Sequence, residues 1–332
     1  MAVELGVTQG PANITQHEMI LASPGEPVPA EPSSASQNCH TKSWSLDLKR
    51  AYIGAFVISI LKPSKLINKQ YLNECAASLV ADPQYPSDET LLHVVRSLQI
   101  SELTSDLFDH GSKEKLCGFN DEQVQIFVNT LSRQLEESKA ALPPSLRSLG
   151  YIVRQFYIGR AYIHEVGLYG NIQGQPLSLT RMSIICECLS SASRYLSHVL
   201  DCSLEHMADW TCSDWRSINF IVMLSTKCSI ILNSNPSWAT SDTSQRAAWL
   251  DKCIDTLCSR LNEFQSLAPA GLNYYEGNHF EKLISNWKDV KAYHQRWIRG
   301  ISLSEAAPTD SEYSDIFSIS SFWGFQGQGI DV

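Results

Sequence analysis

Residues 180–200 read TRMSIICECLSSASRYLSHVL. Within them Met182, Ile185, Leu189, Ala192, Leu196 and Val199 follow in unbroken steps of 3 and 4. That spacing lines side chains along one face of a 3.6-residue helix and cannot serve a strand, whose faces alternate every second residue. At 1.5 Å per residue such a helix is roughly 30 Å long. Burying its four largest aliphatic side chains stabilises by about 1.5–3 kcal/mol each.

Working outward, the same period returns on both sides. Residues 218–232 are apolar on nearly every side, with Phe220, Ile221, Val222, Met223 and Leu224 in succession; a helix of that kind belongs at the centre of a bundle. Leu250, Ile254, Leu257, Leu261 and Phe264 make the next stripe. Phe280, Leu283, Ile284, Trp287 and Val290 follow, with Trp297 further along. Upstream, a helical run covers 146–166 and ends at Gly167. Asn120, Asp121 and Glu122 open another, with Val124, Phe127, Val128, Leu131 and Leu135 on one face and Pro143 and Pro144 as its stop. Ser87 reads as an N-cap for a helix beginning near Asp88, and Leu46, Leu48, Tyr52, Ala55 and Phe56 form a first helix closed by Pro63. Alternating strand patterns and hairpin dipeptides are nearly absent. The expectation is an all-α fold, an irregular multi-helix bundle or array without a 33–47-residue repeat.

Composition sets the limits of this helical body. In 332 residues, 43% hydrophobic and 18% charged, a packed core is assured and a wholly disordered chain is excluded. Residues 1–43 are polar, with Pro11, Pro24, Pro27, Pro29 and Pro32 and serines at 33, 34 and 36, and read as a disordered tail. The helical domain is expected over 44–300. Residues 301–332 form a second tail in which Asp310, Glu312, Asp315 and Asp331 interleave with Tyr313, Phe317, Phe322, Trp323 and Phe325. That composition suits either an activation segment or a tail docking on the bundle. Lys and Arg number 26 against 35 Asp and Glu, a formal charge of −9, the wrong balance for a chain that grips nucleic acid by itself. No run of about 18 apolar residues that could span a bilayer is evident. The start lacks a secretory signal, and ten cysteines in this length read as free thiols in a reducing compartment.

The search for chemistry returns little. No phosphate loop, dinucleotide turn, nucleophile elbow or paired-histidine zinc helix is present, and no Asp-Asp pair suggests a metal-dependent terpene-synthase type of enzyme. His164 and Glu165 adjoin on a predicted helix, but neighbours there point about 100° apart, so a packed histidine is expected. Cys186 and Cys188 are too close on a helix to share a metal, and Cys253 and Cys258 diverge. Cys202 and Cys212 flank a loop and could approach. Trp210, Trp215, Trp238, Trp249, Trp287 and Trp297 suit core packing or a small-molecule pocket. No catalytic, cofactor-binding or metal-ligating residue is assigned, and an enzyme is not expected.

Taken in order, several words of the sequence resemble a known family. They are residues 85–89 (YPSDE) with 91–96 (LLHVVR), 157–168 (YIGRAYIHEVGL), Arg181-Met182 through Cys186, Glu187, Cys188 and Leu189, the Trp215 to Cys228 helix, and Phe280 followed by Trp287. Together they resemble the helical regulatory region that follows the DNA-binding module in fungal binuclear zinc-cluster transcription factors, over roughly residues 45–298. The resemblance implies a nuclear, all-α domain regulating transcription, often of a clustered secondary-metabolic pathway. Its expected partners are other transcription factors or the transcription machinery, with a small-molecule effector in some cases, DNA reached only indirectly and no membrane. Such factors begin with six cysteines in two Cys-x-x-Cys halves. This chain has no Cys-x-x-Cys and only Cys39 before the helical domain, so the expected regulator works without its own zinc-cluster reader. Two alternatives stay open: that a zinc cluster precedes Met1 in the natural product, and that the chain is an all-α small-molecule binder or an enzyme of unknown reaction.

Overall fold

The computed structural model describes residues 44–59, 69–108, 119–169, 177–235, 238, 241–267 and 279–299. The readings of 1–43 and 301–332 as tails, and of Pro63 as a stop, lie outside those residues. Everything described is helix, turn or irregular chain, with no strand, so the fold class is all-α. The chain divides into two compact units: a smaller one of residues 1–102 and 138–146, and a larger one of 103–137 and 147–332.

In the smaller unit, α1 (Leu46–Ser59) packs on α2 (Lys69–Ala81), and the first part of α3 (Asp88–Phe108) joins them. Helix α2 was not evident as a stripe, because Leu72, Cys75, Ala76 and Leu79 mix small and large side chains; all four are buried. With Tyr52, Ile53, Phe56, Val95 and Leu98 they complete a compact core. Trp44, Tyr52 and Tyr71 meet edge to face, with ring centroids 5.2–5.6 Å apart. Helix α3 begins at Asp88 as expected, but its organiser is the Asp88 carboxylate rather than the Ser87 hydroxyl. That carboxylate accepts the Gln84 and Tyr85 N–H groups at 3.0 and 3.1 Å, and the Arg50 Nε and Nη2 atoms at 2.9 and 2.7 Å. The Arg50 guanidinium also lies 4.6 Å from the centroid of the Tyr85 ring.

In the larger unit, α4 (Asp121–Ala140) opens on a reciprocal pair: Asn120 Oδ1 accepts the Gln123 N–H at 2.8 Å, and Gln123 Oε1 accepts the Asn120 N–H at 3.0 Å. Pro144, read as part of a stop, starts a single helical turn, α5 (Pro144–Arg147), whose first three residues, like the last three of α4, belong to the smaller unit; a first-turn proline loses no helical hydrogen bond. Helix α6 (Gly150–His164) therefore begins four residues later than 146 and passes into a 3₁₀ turn, Glu165–Leu168. Helix α7 (Leu179–Asp201) carries the opening stripe and buries all six of its members. It packs on α6, the 3₁₀ turn, α9 (Cys212–Ser234) and α10 (Ser241–Leu267); α9 and α10 both meet α11 (His279–Ile298), and the short α8 (Leu204–Ala208) sits on α10. Helix α9 is the central helix expected. Residues Ser213–Ser234 have the length and mean hydropathy of a membrane span, and most of that stretch is buried within the protein. Ser217, Asn219, Ser225, Thr226, Lys227 and Ser229 interrupt its apolar surface.

Candidate functional site

Ionisable side chains gather at two places in the larger unit. The first is the corner where α6 ends. A Cβ on Gly167 would come within 2.9 Å of Ile184 Cγ2 and 3.0 Å of Ile185 Cγ1, so only glycine lets the 3₁₀ turn lie this close to α7. Arg181, near the start of α7, reaches back: Nη1 donates to the Val166 and Tyr169 carbonyls at 2.9 and 3.0 Å, and Nε pairs with Asp121 Oδ1 at 2.8 Å. One buried guanidinium thus ties α4, the turn and α7. Beneath it, Glu165 is buried and accepts the Tyr169 hydroxyl at 2.7 Å. Burial pushes the Tyr169 phenol up, helped by the charge of Glu165; it pushes Tyr162 up to about 12. Burial also pushes the Lys227 ammonium of α9 down, against the pull of Glu165 and Cys228.

His164 and Glu165 do diverge. The His164 Nδ1–H donates to the Arg160 carbonyl at 2.7 Å, and burial holds the ring below its ordinary pKa. Cys188 is buried, its thiol donating to the Ala161 carbonyl at 3.3 Å and neighbouring the Cys228 thiol; burial pushes it well up. Thiols in such surroundings are poor nucleophiles.

The second place was not foreseen. Asp251 of α10, His294 of α11 and Ser229 of α9 form one hydrogen-bonded chain: Asp251 Oδ1 to His294 Nδ1 at 2.8 Å, and His294 Nε2 to Ser229 Oγ at 2.9 Å. A carboxylate only accepts, so Nδ1 carries the proton and Nε2 takes the Ser229 hydroxyl. Gln295 Nε2 donates to the other Asp251 oxygen at 2.9 Å. Burial raises the Asp251 carboxyl, but the hydrogen bonds from His294 and Gln295 outweigh it and leave the pKa below its ordinary value. The bonding pattern is that of an acid–base relay. Its setting is not: Ser229 and His294 are each 1% exposed. The serine stands inside a 23-residue helix, whose backbone N–H groups are engaged in the helix and cannot face an oxyanion. The chain acts as a polar tie among three helices. Separations of 43 and 65 residues leave no local motif; the one trace in the sequence is a cluster of hydroxyls within an apolar run.

The remaining candidates pack. Cys186 is half-buried; Cys253 and Cys258 are buried, and burial pushes the Cys253 thiol up to about 12. Cys202 is half-buried, 3.5 Å from Arg154 Nη1, and the side chain of Cys212 lies outside the described residues. Arg260 donates to the Leu200 and Cys202 carbonyls and so closes the end of α7. Trp210 and Trp215 meet at 5.1 Å, and Trp215 continues onto Phe264 and Phe280 at 6.1 and 5.2 Å. Trp287 is fully buried and donates its Nε1–H to Asn219 Oδ1 at 3.0 Å. Trp238 and Trp249 pack against the same core, while Trp297 remains partly exposed. All of these tryptophans except Trp297 pack in or against the main core. Among the described residues no group of three or more His, Cys, Asp or Glu side chains is placed to hold a metal. No known protein family, curated protein or solved structure matches the chain.

Proposed function

We propose that the chain regulates transcription in the nucleus through protein contacts, as a helical regulatory domain of the fungal zinc-cluster type without its own DNA reader. The observation that carries this reading is that two words of the resemblance depend on one another. Residues 157–168 supply Gly167, Val166 and Ala161; residues 181–189 supply the partners of each, Ile184 and Ile185, Arg181, and Cys188. The two words thus form one packed corner between α6 and α7. The all-α architecture supports the reading, and so does the −9 charge, which suits a domain reaching DNA only through a partner.

Capture of proteins bound to the tagged full chain, with transcript profiling after deletion, tests it. The expected result is association with transcription factors or transcription machinery and lowered transcripts of a clustered gene set, with no DNA retained by the purified chain at physiological salt. Unchanged transcripts, or sequence-specific DNA binding by this polypeptide alone, overturn it. Sequencing the 5′ end of the transcript separates this form of the proposal from one in which a zinc cluster precedes Met1.

A further inference from the structure

Helix α11 turns an unusual face outward. Lys288, Ala292, Arg296 and Arg299 are exposed at steps of 4, 4 and 3, one continuous stripe on a helix. Among the described residues no carboxylate pairs with Lys288, Arg296 or Arg299. Arg296 Nε instead lies 3.4 Å from the Ala292 carbonyl of its own helix. At the same end Trp297 and Ile298 are 38% and 37% exposed, the indole leaning on Tyr293 with ring centroids 6.4 Å apart. In a chain of net charge −9, a basic stripe edged by an exposed indole stands out.

We propose that this face of α11 binds residues 310–325 of the same chain. The segment from 301 to 332 holds Glu305, Asp310, Glu312, Asp315 and Asp331 and not one Lys or Arg. Tyr313, Phe317, Phe322, Trp323 and Phe325 punctuate the same stretch. Charge is complementary, and so is the pairing of aromatic rings with guanidinium groups and an open indole. Connectivity favours this occupant over any free partner. Residue 310 follows Arg299 by 11 residues, a span that reaches at most about 36–40 Å. Helix α11 covers roughly 30 Å at 1.5 Å per residue, so the segment can return along the whole stripe. A tethered ligand of this reach sees its site at an effective concentration near the millimolar range. Carboxylates opposite arginines set the register, and the aromatic side chains cover Trp297 and Ile298. This contact is independent of the regulatory reading above, since it needs only the charges and rings of this polypeptide.

The test is photo-crosslinking in the full chain with p-benzoylphenylalanine in place of Ala292, an exposed position on the stripe. The expected product joins that position to a peptide within 310–325. Its yield should fall at least about fivefold when salt is raised from about 50 to about 500 mM, as the screening length contracts. The triple change Asp310→Asn, Glu312→Gln and Asp315→Asn should lower it similarly. Crosslinks to other segments, no crosslink, or a yield indifferent to salt and to the triple change overturn the proposal. So do products that join only isotopically light to heavy chains in a mixed sample, which would mark a second copy as the occupant. If the Ala292 variant fails to show the native helical signal, the same reagent at Ser285, exposed two turns earlier on the same face, gives the same test.

Discussion

In the smaller unit the Tyr52 hydroxyl, Asn73 Oδ1, His93 Nδ1 and Ser97 Oγ are buried without a hydrogen-bond partner among the described residues; in the larger unit the same is true of Ser132 Oγ and Ser225 Oγ. The larger unit has far more residues and far more buried polar chemistry, yet Trp287, His294, Arg181 and Tyr169 each reach a defined partner on another element or across the 3₁₀ corner. A satisfied polar atom deep in a core fixes one arrangement of helices, because every alternative leaves it stranded. An unsatisfied one lowers stability without specifying anything. The larger unit is therefore pinned by directional ties as well as by packing. Among the described residues the smaller unit has ties of its own, Arg50 with Asp88, Lys49 Nζ donating to Ser78 Oγ at 2.7 Å and Lys69 with Glu102 at 3.0 Å, but all of them involve flexible, partly exposed cations, and its buried tyrosine, asparagine, histidine and serine atoms stay unpaired. Native-state hydrogen exchange should find the smaller unit opening at the lower free energy.

The largest effect is expected from Trp287→Ala. It removes a fully buried indole from the middle of the main core and takes away the donor that Asn219 accepts. A loss of about 3–5 kcal/mol follows from cavity formation alone, read as a fall in urea midpoint and in protection across α9 and α11. If Trp287→Ala costs less than about 1 kcal/mol, the larger unit is not the rigid partner of this comparison. His294→Leu comes next: it keeps bulk in the core but strands Ser229 and one oxygen of Asp251, at about 1–3 kcal/mol. Exchange should accelerate at the junction of α9, α10 and α11 more than at the α6 corner. A uniform loss would mean that the three-helix tie has no local role.

Acid separates the units in another way. The Arg50 guanidinium, with the Tyr85 and Gln84 N–H groups, holds the Asp88 carboxyl at about 2 against an ordinary 3.8. The folded value lies below the unfolded one, so this pair stabilises the smaller unit fully above about pH 4 and loses its effect as pH falls through about 2. In the larger unit burial lowers the pKa of His164. The unfolded chain then takes up a proton that the folded one refuses, and stability declines as pH drops below about 6.5. Asp88→Asn should flatten the acid limb of exchange-derived stability for α1 to α3, and His164→Asn should flatten the decline that begins below about pH 6.5 around α6 and α7. Unchanged profiles in both variants would remove electrostatics from the comparison.

How far the sequence discloses this depends on the distance over which each feature is encoded. The α7 stripe is local, with Met182 to Val199 repeating every turn, and its helix runs 179–201 against an expected 180–200. The stop at Gly167 is also local, although the chain tightens into 3₁₀ form from Glu165, because the close approach to Ile184 belongs to another helix. Helix α2 escaped because alanine and cysteine carry little hydrophobic contrast, and Pro144 misled because a proline that ends one helix can begin the next. Divergence of His164 from Glu165 followed from helix geometry alone. The Asp251–His294–Ser229 chain did not follow from anything local: it exists only once three helices separated by tens of residues are packed side by side.

The smallest effect makes the sharpest test, since one chemical edit is expected to act with opposite sign in the two units. Tyr52→Phe deletes a hydroxyl that lies buried and unpartnered in the smaller unit, where burial pushes the phenol up to about 12. The ring keeps its edge-to-face contacts with Trp44 and Tyr71. Losing a desolvated group with no bond should leave stability unchanged or raise it by up to about 1 kcal/mol. Tyr169→Phe deletes the same atom in the larger unit, where it donates at 2.7 Å to the buried Glu165. The carboxylate then loses one hydrogen-bond donor inside the protein, at about 1–3 kcal/mol. Both are read from local exchange and urea midpoints under the same conditions. Equal costs would mean that the Tyr52 hydroxyl has found a partner after all, and that the smaller unit is as fully bonded as the larger. Opposite signs would establish that the two units of one chain were folded by different means, one by directional ties and the other chiefly by burial.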